Sequence, residues 1–160
     1  MNIFKQSRRT RWFLASLIVA SCVTCNSIAQ EVVIDFESEI VDTRTLRFTS
    51  ADSPLATFVG DNLLWVRNGL PEFDGTGIET FGPTGITIEF LEPIVSLSIL
   101  FGNDDPGFPE DRALIAVFRD TEKIGQETIL FNRNDLPDQI ITISTHEPFN
   151  RAAFDYVDSA

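Results

Sequence analysis

Cysteine, histidine and helical periodicity are scarce in this chain, and each scarcity removes a class of chemistry. Of 160 residues, two are cysteine and one is histidine. Both cysteines, Cys22 and Cys25, fall near the N-terminus. If the chain is cut after Ala29, no thiol remains. Disulfides, thiolate metal sites and Cys–His catalysis are then excluded. The single histidine, His146, precedes Glu147 and Pro148 and reads as an exposed turn residue. One imidazole cannot build a multi-histidine zinc or iron site. The serine nucleophile motif G-x-S-x-G is absent. Outside the N-terminus, no stretch of about ten residues carries apolar side chains at helical spacing.

Positive charge is also sparse. There are 12 Lys and Arg against 24 Asp and Glu. All 24 acidic residues lie from Glu31 onward, and Lys5, Arg8, Arg9 and Arg11 precede them. Residues 30–160 therefore keep eight cations and a net charge of −16. A chain of that charge repels phosphate backbones, which argues against a nucleic-acid partner, and it favours solubility and divalent cations. Its abundant Ile, Val, Leu and Phe argue against disorder. About 131 residues suit one domain with a real core.

What the N-terminus does contain is a leader pattern. A basic head is followed by an apolar run, Trp12 to Ala20, and then by a small, polar stretch from Ser21 to Gln30. Ser27-Ile28-Ala29 fits the small-x-small rule for cleavage, so residues 1–29 read as a signal peptide with a helical apolar segment. The apolar run is far short of the ~20 residues of a spanning helix. Val19-Ala20-Ser21-Cys22 also resembles a lipoprotein box, which would make Cys22 the lipidated first residue. Arg8-Arg9 resembles a twin-arginine signal only weakly, because Arg11 stands where that motif wants an apolar residue. Either route exports the protein, to the periplasm, the extracellular space or a lipid anchor.

Residues 30–160 read as one all-β domain. Short runs alternate apolar and polar residues and are bounded by Gly, Pro, Asn and Asp. They are Val32–Phe36, Leu46–Thr49, Leu63–Val66, Ile86–Phe90, Val95–Phe101, Ala113–Phe118, Thr128–Phe131, Ile140–Ile143 and Ala152–Val157. Such spacing favours an antiparallel β-sandwich of jelly-roll type. Pro93 is expected to start a strand or lie in a turn. Arg119–Gly125 reads as a hairpin turn. Asn68–Gly85 and Gly102–Arg112 read as long loops, where binding residues are often found.

Calcium is the ion this composition suits, since it takes 6–8 oxygens from carboxylates, amides and carbonyls. Asn103, Asp104 and Asp105, with Glu110 and Asp111, supply those oxygens in one loop, without EF-hand spacing. The alternative is a solvated acidic turn. Trp65, Phe73, Phe81 and Phe108 are candidates for stacking on a sugar, with Asp74 beside Phe73. Trp65, within Leu-Leu-Trp-Val, is expected in the core. Glu89 is expected to point outward. Paired carboxylates at glycosidase spacing arise easily among 24 acids and specify nothing alone.

Several of these segments together resemble a known group. Ile34-Asp35-Phe36-Glu37, Ile86 to Phe90, Pro93 to Asp105, Ala113 to Phe118 and Ala152 to Ser159 resemble exported bacterial jelly-roll modules. These modules have a galactose-binding-like look and occur in PEP-CTERM-type secreted proteins. The resemblance implies a β-sandwich, association with a surface or matrix, and no enzymatic activity. It also implies a structural calcium near the first and last strands, with Glu37 matching the first-strand carboxylate. The chain departs from that group in lacking a C-terminal Pro-Glu-Pro tail, and it stops at Ala160, where such modules add a final strand. The expectation is a non-catalytic exported module that binds extracellular carbohydrate or mediates surface interactions. The alternatives are a jelly-roll glycosidase or lyase using paired carboxylates, and a lipid-anchored structural envelope protein.

Overall fold

The computed structural model describes residues 10–13, 17–20, 31–68, 75–81, 85–102, 111–132, 136 and 138–158. None of these is helical. Ten strands run β1 Thr10–Phe13, β2 Leu17–Ala20, β3 Glu31–Ile34, β4 Arg44–Thr49, β5 Ala56–Asn68, β6 Thr76–Phe81, β7 Ile86–Phe101, β8 Arg112–Arg119, β9 Glu122–Leu130 and β10 Gln139–Val157. They form one antiparallel hydrogen-bonded network in the order β1-β6-β5-β7-β10-β8-β9. Strand β4 pairs with β5, while β2 lies between β3 and β7.

Three strands are long because each turns a corner. In β7 the buried residues are Ile86, Ile88 and Phe90, then Ile94, Leu97, Ile99 and Phe101. The inward parity changes just after Ile94, at Val95-Ser96, and Leu91-Glu92-Pro93 are all exposed. Proline costs no ladder bond there, because the β10 register jumps from Glu89 to Ile94. Strand β10 turns opposite it, with His146, Glu147 and Pro148 exposed between buried Ile143 and Phe149. In β5 the β4 register passes from Val59 to Leu64, so Gly60 to Leu63 bulge out of the pairing. Gly60 suits that bend, since a Cβ would lie 2.4 Å from the Asn62 carbonyl oxygen.

The inward residues on both sides of these corners form one core. Among the described residues its aromatic rings form two clusters and one pair, Phe90 with Phe149 at 6.1 Å. Phe36, Phe48 and Phe58 pack with centroids 5.2–6.4 Å apart. Phe101, Phe131, Phe154 and Tyr156 pack at 4.8–6.3 Å. The buried Tyr156 hydroxyl donates to the Gly102 carbonyl at 2.5 Å. Each such aromatic contact adds about 0.5–1.5 kcal/mol beyond its buried area.

The structure corrects several expectations. Strand β6 lies inside the stretch read as one loop from Asn68 to Gly85, because its two threonines and one glutamate hide the period-2 signal. The runs Ile86–Phe90 and Val95–Phe101 are one strand, as are Ile140–Ile143 and Ala152–Val157. Pro93 therefore lies within a strand, at its unpaired corner. The hairpin turn narrows to Asp120-Thr121, since Arg119 pairs with Glu122. Asp120 takes φ 55° there, a left-handed geometry that Asp tolerates. Within the segment read as a signal peptide, the described residues Thr10–Phe13 and Leu17–Ala20 are strands β1 and β2.

Candidate functional site

Strands β8 and β10 pair only from Arg151 to Val157 on β10. Before that, β10 turns its corner and leaves the β8–β9 hairpin. The two diverging elements enclose a polar groove of about 500 Å³. One wall is Glu122, Lys123, Gln126 and Glu127 of β9, and the other is Ser144, Thr145, His146 and Glu147 of β10. Its volume falls within the range of small-molecule sites. Ile143 also lines it, beside Gly125. A Cβ on Gly125 would meet Ile143 Cδ1, Thr145 Cγ2 and Val117 Cγ2 at 3.2–3.3 Å, so glycine lets the walls approach.

Hydrogen bonds hold the hairpin tip to the β10 corner. The Asp120 N–H donates to Asn150 Oδ1 at 2.8 Å, and Asn150 Nδ2 donates back to Asp120 Oδ1 at 2.9 Å. Arg119 reaches across, with Nη1 donating to Glu147 Oε2 and Nη2 to Glu122 Oε2. The Glu122 hydrogen bond, followed by the charge of Glu147, raises the proton affinity of Arg119. Thr145 Oγ1 donates to the Glu147 carbonyl at 2.6 Å, which fixes the turn. Arg119 also borders a second hollow, of about 250 Å³, with Pro93, Asp120, Pro148 and Asn150.

The residues singled out in the sequence lie elsewhere. Asn103, Asp104, Asp105, Glu110, Phe73, Asp74, Phe108 and Cys22 are outside the described residues, as is the side chain of Phe81. The Glu37 carboxylate receives the Thr76 N–H at 2.7 Å and braces the start of β6. Asp111 sits at the start of β8, where its N–H donates to the Val157 carbonyl and its own carbonyl accepts from Phe131. Glu37 and Asp111 are thus tied to different elements. Among the described residues, no three His, Cys, Asp or Glu side chains converge as a metal-binding group. Glu89 is paired at the surface with Arg47 at 2.6 Å.

A second cluster surrounds Trp65, which is half-exposed rather than in the core. The guanidinium carbons of Arg44 and Arg67 lie 4.2 and 4.3 Å from its ring centroid. Its indole N–H donates to Asp42 Oδ1 at 3.3 Å. Those cations occupy the ring that a sugar would need. Cross-strand from Trp65, Glu79 has a fully buried side chain and accepts from Arg67 Nη1 at 2.9 Å. Burial pushes its carboxyl above the ordinary 4.5, while Arg67 and then Arg44 pull it back. Perturbed carboxyls mark functional sites often enough to note this one, but Glu79 borders neither hollow described above.

Comparison with protein families, curated proteins and solved structures finds no match to this chain.

Proposed function

We propose that this is an exported, non-catalytic β-sandwich module of jelly-roll type that binds extracellular carbohydrate in the groove between β9 and β10. The observation that carries this reading is the groove itself: a preformed, polar concavity held open by the Arg119–Glu147 and Asp120–Asn150 contacts. Its walls offer an amide, two hydroxyls, an imidazole and carboxylates, the donors and acceptors that sugar hydroxyls require. The leader pattern and the lack of a nucleophile–base set support export and binding over catalysis. A glycan array probed with the full chain tests the reading. Specific binding that Gln126→Ala and Ser144→Ala weaken together supports it, and binding that neither change affects contradicts the location.

Calcium belongs to this reading as a brace in the acidic loop Gly102–Arg112. Calcium against chelator should then raise the melting temperature by about 4 °C or more. An indifferent melt removes the ion from the account.

One observation favours a second reading. Glu122 and Glu147 flank a single guanidinium in the groove, so two carboxylates share one cleft. A glycosidase or lyase would show product release that Glu122→Gln or Glu147→Gln abolishes. Binding without turnover favours the module.

A further inference from the structure

The charges around the groove constrain the class of ligand, given the carbohydrate-binding reading on which this inference rests. Five charged side chains line it: Arg119 and Lys123, with Glu122, Glu127 and Glu147. An anionic ligand needs a cation whose donors face it, and a guanidinium fork suits a carboxylate or sulfate best. Here the Arg119 fork already faces two protein carboxylates, through Nη2 to Glu122 at 3.0 Å and Nη1 to Glu147. Lys123 Nζ donates to Gln126 Oε1 at 2.8 Å. Drawing Arg119 away toward an anion would leave Glu122 and Glu147 facing that same anion. Glu127 adds a carboxylate in excess of the two cations.

The wider field acts in the same direction. With residues 1–29 removed, the chain carries −16. Like charge slows encounter with an anionic polymer and penalises its docking. On the face of β10 opposite Ile143 and Thr145, which meet Gly125 of β9, lies a row of neutral groups. Ser144 Oγ lies 2.8 Å from Ser96 Oγ, and Thr142 Oγ1 lies 2.8 Å from Ser98 Oγ. These two hydroxyl pairs lie along the same face of the β7–β10 ladder, two residues apart. A hydroxyl both donates and accepts, so the row matches uncharged sugar hydroxyls without a fixed polarity.

We propose that the groove takes a neutral or amino-bearing polyhydroxylated chain, and that it rejects uronate and sulfated glycans. Glu127 is the discriminating residue. It favours an ammonium group on the ligand and opposes an acidic one.

The test titrates the full chain with three oligosaccharides of equal length: a neutral hexose oligomer, a glucosamine oligomer and a galacturonate oligomer. The neutral and amino-bearing oligomers are expected to bind, the latter weakening as salt rises. The galacturonate oligomer is expected to bind about tenfold more weakly or worse. Glu127→Lys should narrow that gap by improving galacturonate and weakening glucosamine binding. Glu127→Gln separates loss of charge from gain of the opposite charge, and it should weaken only the amino-bearing ligand. Galacturonate binding as tight as the neutral oligomer would overturn the inference while leaving the carbohydrate reading intact. Failure of all three to bind would overturn both.

Discussion

Glu79 has no exposed surface, and its Oε1 lacks a hydrogen-bond partner among the described residues. Burial raises its carboxyl above 4.5 despite Arg67, so the folded chain holds this proton more tightly than the unfolded chain does. Between 4.5 and the raised folded value the folded state binds more protons. Stability therefore falls as pH rises through that window. Below 4.5 both states are protonated, and the contribution is fully present. Glu79→Gln is neutral at every pH and should flatten the decline, read as the urea midpoint against pH. An unchanged slope would contradict the assignment. Arg67→Ala leaves the buried carboxylate without its counter-charge and should cost about 3 kcal/mol above the window, the low end because Arg67 reaches solvent. Adding Glu79→Gln should recover part of that loss. None of this was legible in Thr-Gly-Ile-Glu-Thr-Phe, where Glu79 looks like a solvated polar residue. The groove residues were equally hidden. Arg119 to Gly125 and His146 to Pro148 read as two unrelated turns, and only the β10 corner brings them face to face.

The long strands of this sheet owe their length to corners, and each corner makes a prediction. At Gly60 a Cβ would press on the Asn62 backbone oxygen at 2.4 Å, and backbone cannot move aside. Gly60→Ala should therefore cost about 2–3 kcal/mol. At Gly125 the neighbours are side-chain methyl groups at 3.2–3.3 Å, which shift more easily. Gly125→Ala should cost about 1 kcal/mol and narrow the groove. Equal losses in chemical denaturation would show that the β5 bulge is not as tight as described. Phe58→Ala, deep in the first aromatic cluster, should cost about 3–5 kcal/mol. Strand identity was readable wherever period-2 alternation was clean, as in Ile86, Ile88 and Phe90. It failed where polar residues face inward: Thr76 and Thr80 of β6 are buried, so their strand looked like loop. It also failed at Pro93 and Pro148, where local chemistry signalled a break and the strand instead continues past an unpaired corner.

At the scale of the molecule, Thr10–Phe13 and Leu17–Ala20, within the segment read as a leader, join the other described strands in one hydrogen-bonded network. Cleavage after Ala29 or processing at Cys22 would remove β1 and β2, which pair with β6, β3 and β7. The edges Ile78–Phe81 of β6 and Ser96–Ile99 of β7 then lose their outer partners. Amide exchange in those two segments should be faster in the processed protein than in the unprocessed chain, with little change in β8 and β9. Fatty-acid labelling at Cys22 would identify the lipid-anchored form, and its absence with a new N-terminus at Gln30 would identify the free one. The all-β class and its single core were legible from composition and alternation. The proposed groove was not, because it arises where β10 turns away from the β8–β9 hairpin. The most direct test of the account is therefore an NMR titration of the protein with a neutral oligosaccharide that it binds. The account predicts amide shifts concentrated at Glu122–Glu127 and Ser144–Glu147. Shifts centred on the Asn68–Gly85 or Gly102–Arg112 segments, with the groove silent, would contradict it.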